Sequence, residues 1–271
     1  MITIDTGTTE LLCEIRDRVA VVTLNNPDKR NALGDKITPA LRDVLVALEE
    51  DQRVGVVLIT GAGDAFCSGG DVSGMASASK ELLSQEDRLD SLIRKQENLT
   101  LRLHELKKVT IAALPGPAAG AGLSIALACD LRVASENAFI TTAFRNIGLS
   151  GDYGGSWFLT RLVGLGKAKE LFYTSPRIYA EEGLSLGIFN KVFDQESFLE
   201  QSVEFAKTIS SGPTAALARM KINLNLGLNK SLKEALALEA SHMLECAASE
   251  ESKTAIKAFN ERRQPVFHSE E

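Results

Sequence analysis

The stretch that decides the fold runs VTIAAL (109–114), PGPAAGAG (115–122), then Leu123–Cys129 and Leu131–Ala134. Val109–Leu114 is a short continuous apolar run, the pattern of a strand buried on both faces. The prolines and glycines of 115–122 end it. Small residues then continue into a predicted helix, Leu123–Cys129, and a further strand, Leu131–Ala134. A strand, a tight turn, a helix and a second strand make a crossover unit, so the chain reads as α/β.

The same grammar extends in both directions. Upstream, Leu11–Ile15 and Val19–Leu24 flank Arg16-Asp17-Arg18 and predict a hairpin. Leu41, Val44, Leu45 and Leu48 recur at helical spacing over about 35–50. Val54–Thr60 is another buried, parallel-type strand, and 61–74 is a loop with five glycines. The polar stretch Ser77–Lys108 closes on Leu99, Leu103 and Leu106 at helical spacing. Downstream come a short strand at Phe139–Thr142, a second glycine-rich loop at 148–155, helical segments to about Leu186 and a strand at Ile188–Phe193. From Ser197 the pattern is helical, with a break at Gly212-Pro213. The expected organisation is a core over 1–200 and a helical C-terminal region over 201–271.

Composition narrows the class of function. Of 271 residues, 30 are Lys or Arg and 36 Asp or Glu, a net charge of −6. That balance argues against nucleic acid and anionic membranes as partners, since both select a basic excess. Cys13, Cys67, Cys129 and Cys246 stand singly, without metal or disulfide spacing, which suits a reducing compartment. The opening Met-Ile-Thr-Ile-Asp does not read as a signal peptide, and no apolar run is long enough to span a bilayer. The expected location is the cytoplasm.

Familiar cofactor motifs fail on inspection. Gly61-Ala62-Gly63-Asp64-Ala65-Phe66 begins like a dinucleotide fingerprint, but Phe66 occupies the third glycine position. No P-loop is present, and Phe158 ends a near-miss serine-hydrolase elbow at Gly154-Gly155-Ser156-Trp157. His104, His242 and His268 lie apart from any ligand cluster, so no metal is expected. Ala65–Asp71 and Ala119–Gly122 are more informative. Both follow buried strands and let a backbone approach a ligand, and two N–H groups aimed at one carbonyl would form an oxyanion hole. Two ordinary tight turns would have the same composition.

The set Asn31-Ala32-Leu33, AFCSGGD (65–71), GPAAGAG (116–122), CDLRVAS (129–135), Asn146-Ile147-Gly148-Leu149, Gly154-Gly155, LTRLVG (159–164) and AEEGLSLGIFNKVF (180–193) resembles the enoyl-CoA hydratase/isomerase, or crotonase, superfamily over about 10–260. The resemblance implies a ββα spiral with a helical C-terminal region that trimerises, often as a dimer of trimers. It implies an acyl-CoA thioester as substrate, so coenzyme A arrives with the substrate and no separate cofactor is expected. It places the oxyanion hole at the N–H groups of Gly70 and Ala121. Lys29 and Arg30 match the CoA phosphate region, Ala32 and Ser68 the nucleotide-side wall, and Asp71 lies beside them. Lys257 and Phe259 match positions that often contact CoA from a neighbouring subunit.

Hydratases of this superfamily carry two water-activating glutamates, which would fall at 124 and 144. Here those positions are Ser124 and Phe144. The remaining carboxylate of the second glycine loop is Asp152, which either caps the helix starting near Gly155 or acts in the acyl pocket with Phe144, Tyr153 and Trp157. The pattern looks like the 1,2-epoxyphenylacetyl-CoA isomerase branch, whose chemistry one carboxylate can perform. An aspartate here also resembles the nucleophile of 4-chlorobenzoyl-CoA dehalogenase, but that enzyme needs an upstream histidine where this chain has residues such as Glu97, with His104 offset. A hydratase with an unusual catalytic residue, or a non-catalytic thioester binder, would fit the same losses. Leu232, Leu236, Ala240 and Met243 form one helix face, either core or subunit contact.

Overall fold

The computed structural model describes residues 1–71 and 84–268; the parts of the glycine loop and of the polar stretch that fall in 72–83 lie outside it. The main sheet has seven strands: β1 (Ile2–Ile4), β2 (Leu11–Arg16), β3 (Val19–Leu24), β4 (Val56–Gly61), β5 (Val109–Leu114), β7 (Leu131–Ser135) and β10 (Lys191–Phe193), in that order across the sheet. β1, β2 and β3 pair antiparallel, and every pair from β3 to β10 is parallel. A second sheet joins β6 (Ala118–Ala119), β8 (Phe139–Thr141) and β9 (Ile178–Tyr179).

The chain alternates between these sheets. β5 leads to β6 and the helix α4 (Ala121–Ala128); β7 leads to β8 and α5 (Gly155–Thr174). Earlier turns of the spiral repeat the pattern with single bridges. After β4, Cys67 pairs with Ala118, and after β3, Leu33 pairs with Gly70 before α1 (Ile37–Glu50). This is the repeating ββα arrangement of the crotonase fold.

Both faces of the main sheet are covered, which explains the uninterrupted apolar strands. On one face Val57 and Ile59 pack with α1 residues Leu41, Val44, Leu45 and Leu48 and with Leu99, Leu103 and Leu106. These last three lie along α2 (Gln85–Gln96), a π turn (Glu97–Leu101), α3 (Arg102–Glu105) and its end. On the other face Val19, Val21, Val56, Leu58, Ile111 and Val133 meet Phe198, Val203 and Ala206 of α7 (Phe198–Ser210).

Two sequence expectations shift. The helix after the small-residue turn starts at Ala121, so the turn itself supplies its first residues. The strand expected at 188–193 shortens to Lys191–Phe193, because Ile188 and Phe189 bury their side chains in the turn after α6 (Ala180–Ser185). Phe139–Thr141 belongs to the second sheet. The C-terminal helices are α8 (Thr214–Gly227), α9 (Leu232–Ala247) and α10 (Glu250–Asn260). Leu232, Leu236 and Met243 of α9 are exposed, so their face is not core within one chain.

A buried ion pair seats this helical region on the core. Lys221 Nζ of α8 lies 2.8 Å from Asp130 Oδ2 and also donates to the carbonyls of Leu103 and Lys108. Asp130 in turn accepts from the Thr110 amide at 2.7 Å and its hydroxyl at 3.0 Å.

Candidate active site

The 65–71 segment is laced between two neighbours. Phe66 and Cys67 N–H groups donate to Pro117 O, Ala119 N–H donates to Cys67 O, and Leu33 N–H donates to Gly69 O. Asp71 N–H donates back to Leu33 O at 3.3 Å. In this parallel bridge the bonds to Leu33 come from the residues flanking Gly70, so the Gly70 N–H faces the other way. It donates to no acceptor among the described residues. Ala121, as the first residue of α4, has an N–H without an intrahelical acceptor. Gly69 brings the two together: at φ +94°, an added Cβ there would sit 2.9 Å from Ala119 O and 3.4 Å from Ala121 N. The 69–70 backbone therefore lies against the first residue of α4, at the positive end of that helix.

Asp152 is attached to the same helix. Ser124 Oγ, one turn into α4, donates to Asp152 O at 3.0 Å and approaches Gly120 O at 3.3 Å. The cap of α5 is Gly154, with no side-chain capping bond, so the Asp152 carboxyl does not serve as the cap. Its Oδ1 is buried with no hydrogen-bond partner among the described residues. Burial alone pushes the Asp152 carboxyl above the usual carboxylate range, with no compensating cation. A carboxyl in that condition is suited to give and take a proton.

The aromatic residues divide. Phe144 is buried, stacks on Phe172 at 6.2 Å between centroids and 7° between planes, and would be the nearest contact of a Cβ at Gly120. Tyr153 is buried in the core cluster, so its ring is not an open wall; its N–H donates to Gln96 Oε1 at 2.6 Å. Trp157 packs edge-on against His104 at 5.1 Å and carries the Arg161 guanidinium 3.5 Å from its ring centre. His104 is half-buried, and desolvation first, then the Lys221 charge, hold its imidazole below its ordinary range. Glu97 is exposed; the side chain that reaches the Asp152 loop from this helix is an amide, Gln96, and not a histidine.

Lys29, Arg30, Ala32 and Ser68 converge. Ser68 N–H donates to Arg30 O, and its hydroxyl to Lys29 O. Lys29 Nζ pairs with Asp71 at 3.0 Å. Asn31, fully buried at φ +55°, holds this corner: its Nδ2 donates to Ala62 O and Ala65 O, and its Oδ1 accepts from Asn26 N–H. Lys257 and Phe259 lie elsewhere, on α10, where Phe259 borders a surface hollow with Asn260, Arg262, Arg263 and Gln264.

Residues to which the sequence assigned no partner complete the frame. Gln96 and Ser124 hold the Asp152 loop, and Arg132, fully buried, donates to Cys129 O just after α4 and to Ile188 O just after α6, each at 2.7 Å. Only the CDLRVAS context marked Arg132, and nothing in the sequence assigned it a partner. No group of three metal-ligating side chains occurs among the described residues.

The family model described as enoyl-CoA hydratase/isomerase matches residues 14–270. The chain belongs to the enoyl-CoA hydratase/isomerase family. Among this family's members, the short-chain-enoyl-CoA hydratase of Clostridium acetobutylicum is 36% identical over 93% of this chain and 95% of its own. The 1,2-epoxyphenylacetyl-CoA isomerase of Escherichia coli is 30% identical over 95% and 97%. A crystal structure of an enoyl-CoA hydratase from Polaromonas sp. JS666 superposes with TM-score 0.88 at 33% identity, covering 94% of this chain and 98% of that one. Within the family, this chain has relatives named for both hydration and isomerisation.

Proposed function

We propose that this protein is an enoyl-CoA isomerase that shifts a double bond in an acyl-CoA thioester, with Asp152 as the proton carrier. The observation that carries this reading is the Asp152 Oδ1, buried with no partner among the described residues, on a loop that Ser124 ties to the helix beginning at Ala121. The thioester carbonyl of a 3-enoyl-CoA accepts from the Gly70 and Ala121 N–H groups, which acidifies the α-carbon. The Asp152 carboxylate takes the α-proton, and the electron pair spreads over a dienolate whose oxygen stays in the two-donor site. The Asp152 carboxylic acid then returns the proton to the γ-carbon, giving the 2-enoyl-CoA and the starting carboxylate. No cofactor or metal enters beyond the CoA carried by the substrate.

Lys29, Arg30, Ala32 and Ser68 take the nucleotide side, with Asp71 orienting Lys29 through their ion pair. Phe144 and Trp157 favour an aromatic or otherwise apolar acyl group. In the same proposal 201–271 acts as an assembly region against the 1–200 core. Its exposed Leu232, Leu236 and Met243 meet a second copy in a trimer or dimer of trimers, which also brings Lys257 and Phe259 to a neighbour's CoA. No described helix is long and apolar enough to cross a membrane, and the cysteine pattern supports work in the cytoplasm.

A panel of 2- and 3-enoyl thioesters with phenylacetyl-derived, straight and branched acyl groups tests this, with Asp152→Asn alongside. The expected result is isomerisation with solvent deuterium at the α- or γ-carbon, lost in the variant. Equal turnover by both proteins would overturn the assignment. The second reading, hydration with Asp152 alone activating water, is favoured by the 36% identity to a short-chain-enoyl-CoA hydratase. It expects water addition to 2-enoyl-CoA in place of exchange into a 3-enoyl substrate. Thioester binding without either reaction would identify a non-catalytic binder.

A further inference from the structure

Asp152 is carried on a turn that the backbone alone would not adopt. Gly151, Tyr153 and Gly154 all have positive φ, at +105°, +51° and +76°. For Tyr153, the member with a bulky side chain, that conformation costs on the order of 1–3 kcal/mol and persists only where the surroundings over-determine it. Three contacts do so. Gln96 Oε1 accepts the Tyr153 N–H at 2.6 Å from 57 positions away in the chain. Ser124 Oγ holds the Asp152 carbonyl at 3.0 Å. The Tyr153 ring is buried in the core, within electrostatic reach of the Arg42 side chain of α1. Arg42 also donates to Lys95 O at 3.1 Å, tying α1 to the residue before Gln96.

Gln96 ends α2 where the chain turns into the π segment Glu97–Leu101, an irregularity common at functional positions. Without an acceptor at this point, the Tyr153 N–H would be a buried donor with no partner, and the left-handed turn would lose its strongest local restraint.

We infer that Gln96 is a positioning residue for Asp152: by accepting the Tyr153 amide it fixes the strained turn that carries the carboxyl and that Ser124 ties to α4. The inference rests on the reading of Asp152 as the proton carrier. Gln96 itself touches no reacting atom. Its contribution is geometric, and small displacements of a proton carrier are expensive in turnover and cheap in binding.

The test combines backbone exchange with steady-state kinetics on a 3-enoyl-CoA. In Gln96→Met, hydrogen–deuterium exchange at the Tyr153 amide rises about 5–10-fold, the loss expected for one neutral hydrogen bond. Turnover kcat falls about 10–100-fold while KM stays within about threefold, the split expected when the carrier is misplaced and the substrate still binds. Gln96→Ala gives the same split, and Gln96→Glu, which keeps an acceptor, restores protection and most of kcat. Unchanged exchange or unchanged kcat in Gln96→Met overturns the inference. So does a rise in KM parallel to the fall in kcat, or failure of Gln96→Glu to restore either readout, since both mark general disturbance. Asp152→Asn is read separately: wild-type turnover there defeats the proton-carrier reading, whereas an inactive Asp152→Asn beside an unaffected Gln96→Met defeats only the role of Gln96.

Discussion

The hydroxyl of Ser124 donates to the main-chain carbonyl of Asp152 at 3.0 Å, joining the helix behind the Ala121 N–H to the turn that bears the only carboxyl of the second glycine loop. The position at which family hydratases would carry a glutamate is thus occupied by a strut. It ties the Asp152 turn to the first turn of α4.

Removing that strut tests its worth. Ser124→Ala leaves the Asp152 carbonyl with only the 3.2 Å bond from the Gly155 N–H, which costs about 1 kcal/mol of stability, and turnover falls roughly tenfold through the looser turn. Chemical denaturation and thioester kinetics on the same preparation check both. Ser124→Glu does not create a hydratase: Ser124 is buried, and its Oγ would lie 2.5 Å from a Cβ placed on Gly155. A longer side chain there overpacks the helix contact by about 1–3 kcal/mol before any charge is counted. The expected readout is a lower Tm with no gain of water addition to 2-enoyl-CoA.

The environment of Asp152 makes activity and stability respond oppositely to pH. Burial raises its carboxyl above the ordinary range, so the folded protein holds this proton over a pH window in which the unfolded chain has released it. The contribution to stability is full below the unfolded pKa, about 3.9, and is lost as pH rises through the folded value. Asp152→Asn has no such loss. Denaturant titrations between about pH 4 and pH 8, bracketing that range, should show the stability difference moving in favour of the variant as pH rises. Wild-type kcat/KM should climb along an acid limb displaced above the ordinary carboxylate value, because the carboxylate form takes the proton.

The Lys221–Asp130 pair predicts how firmly the helical region is seated. Lys221→Met removes the cation and leaves Asp130 with only its Thr110 donors. Breaking a buried pair costs about 3–5 kcal/mol, and the retained Thr110 bonds bring the expectation toward the lower end. Urea midpoints measure it. The double variant Lys221→Met, Asp130→Asn should recover part of the loss.

The exposed face of α9 predicts self-association. Leu232 and Met243 are 74% and 69% exposed in the single chain, more than isolated surface hydrophobics require when they share a face with Leu236. Leu236→Glu with Met243→Glu should lower the sedimenting mass at fixed concentration. Under the proposed role of Lys257 and Phe259, the same variant raises KM for the thioester.

By itself the amino-acid sequence determined the strand-turn-helix grammar, because buried parallel strands must read as apolar runs and turns must use small residues. Val109–Leu114, Val56–Gly61 and α1 are legible for that reason. It also determined the chemistry on offer, since Asp152 is present and the two glutamate positions are Ser124 and Phe144. What only the tertiary structure decided is how these parts meet. Gln96, Asn31, Ser124 and Arg132 act through single bonds to backbone atoms far away in the chain, and a long-range bond to a main-chain carbonyl or amide leaves no periodicity to read. Asp152 as a cap and Asp152 as a carboxyl whose Oδ1 is buried without a partner among the described residues are the same letter in the sequence; burial, a property of the folded surroundings, separates them.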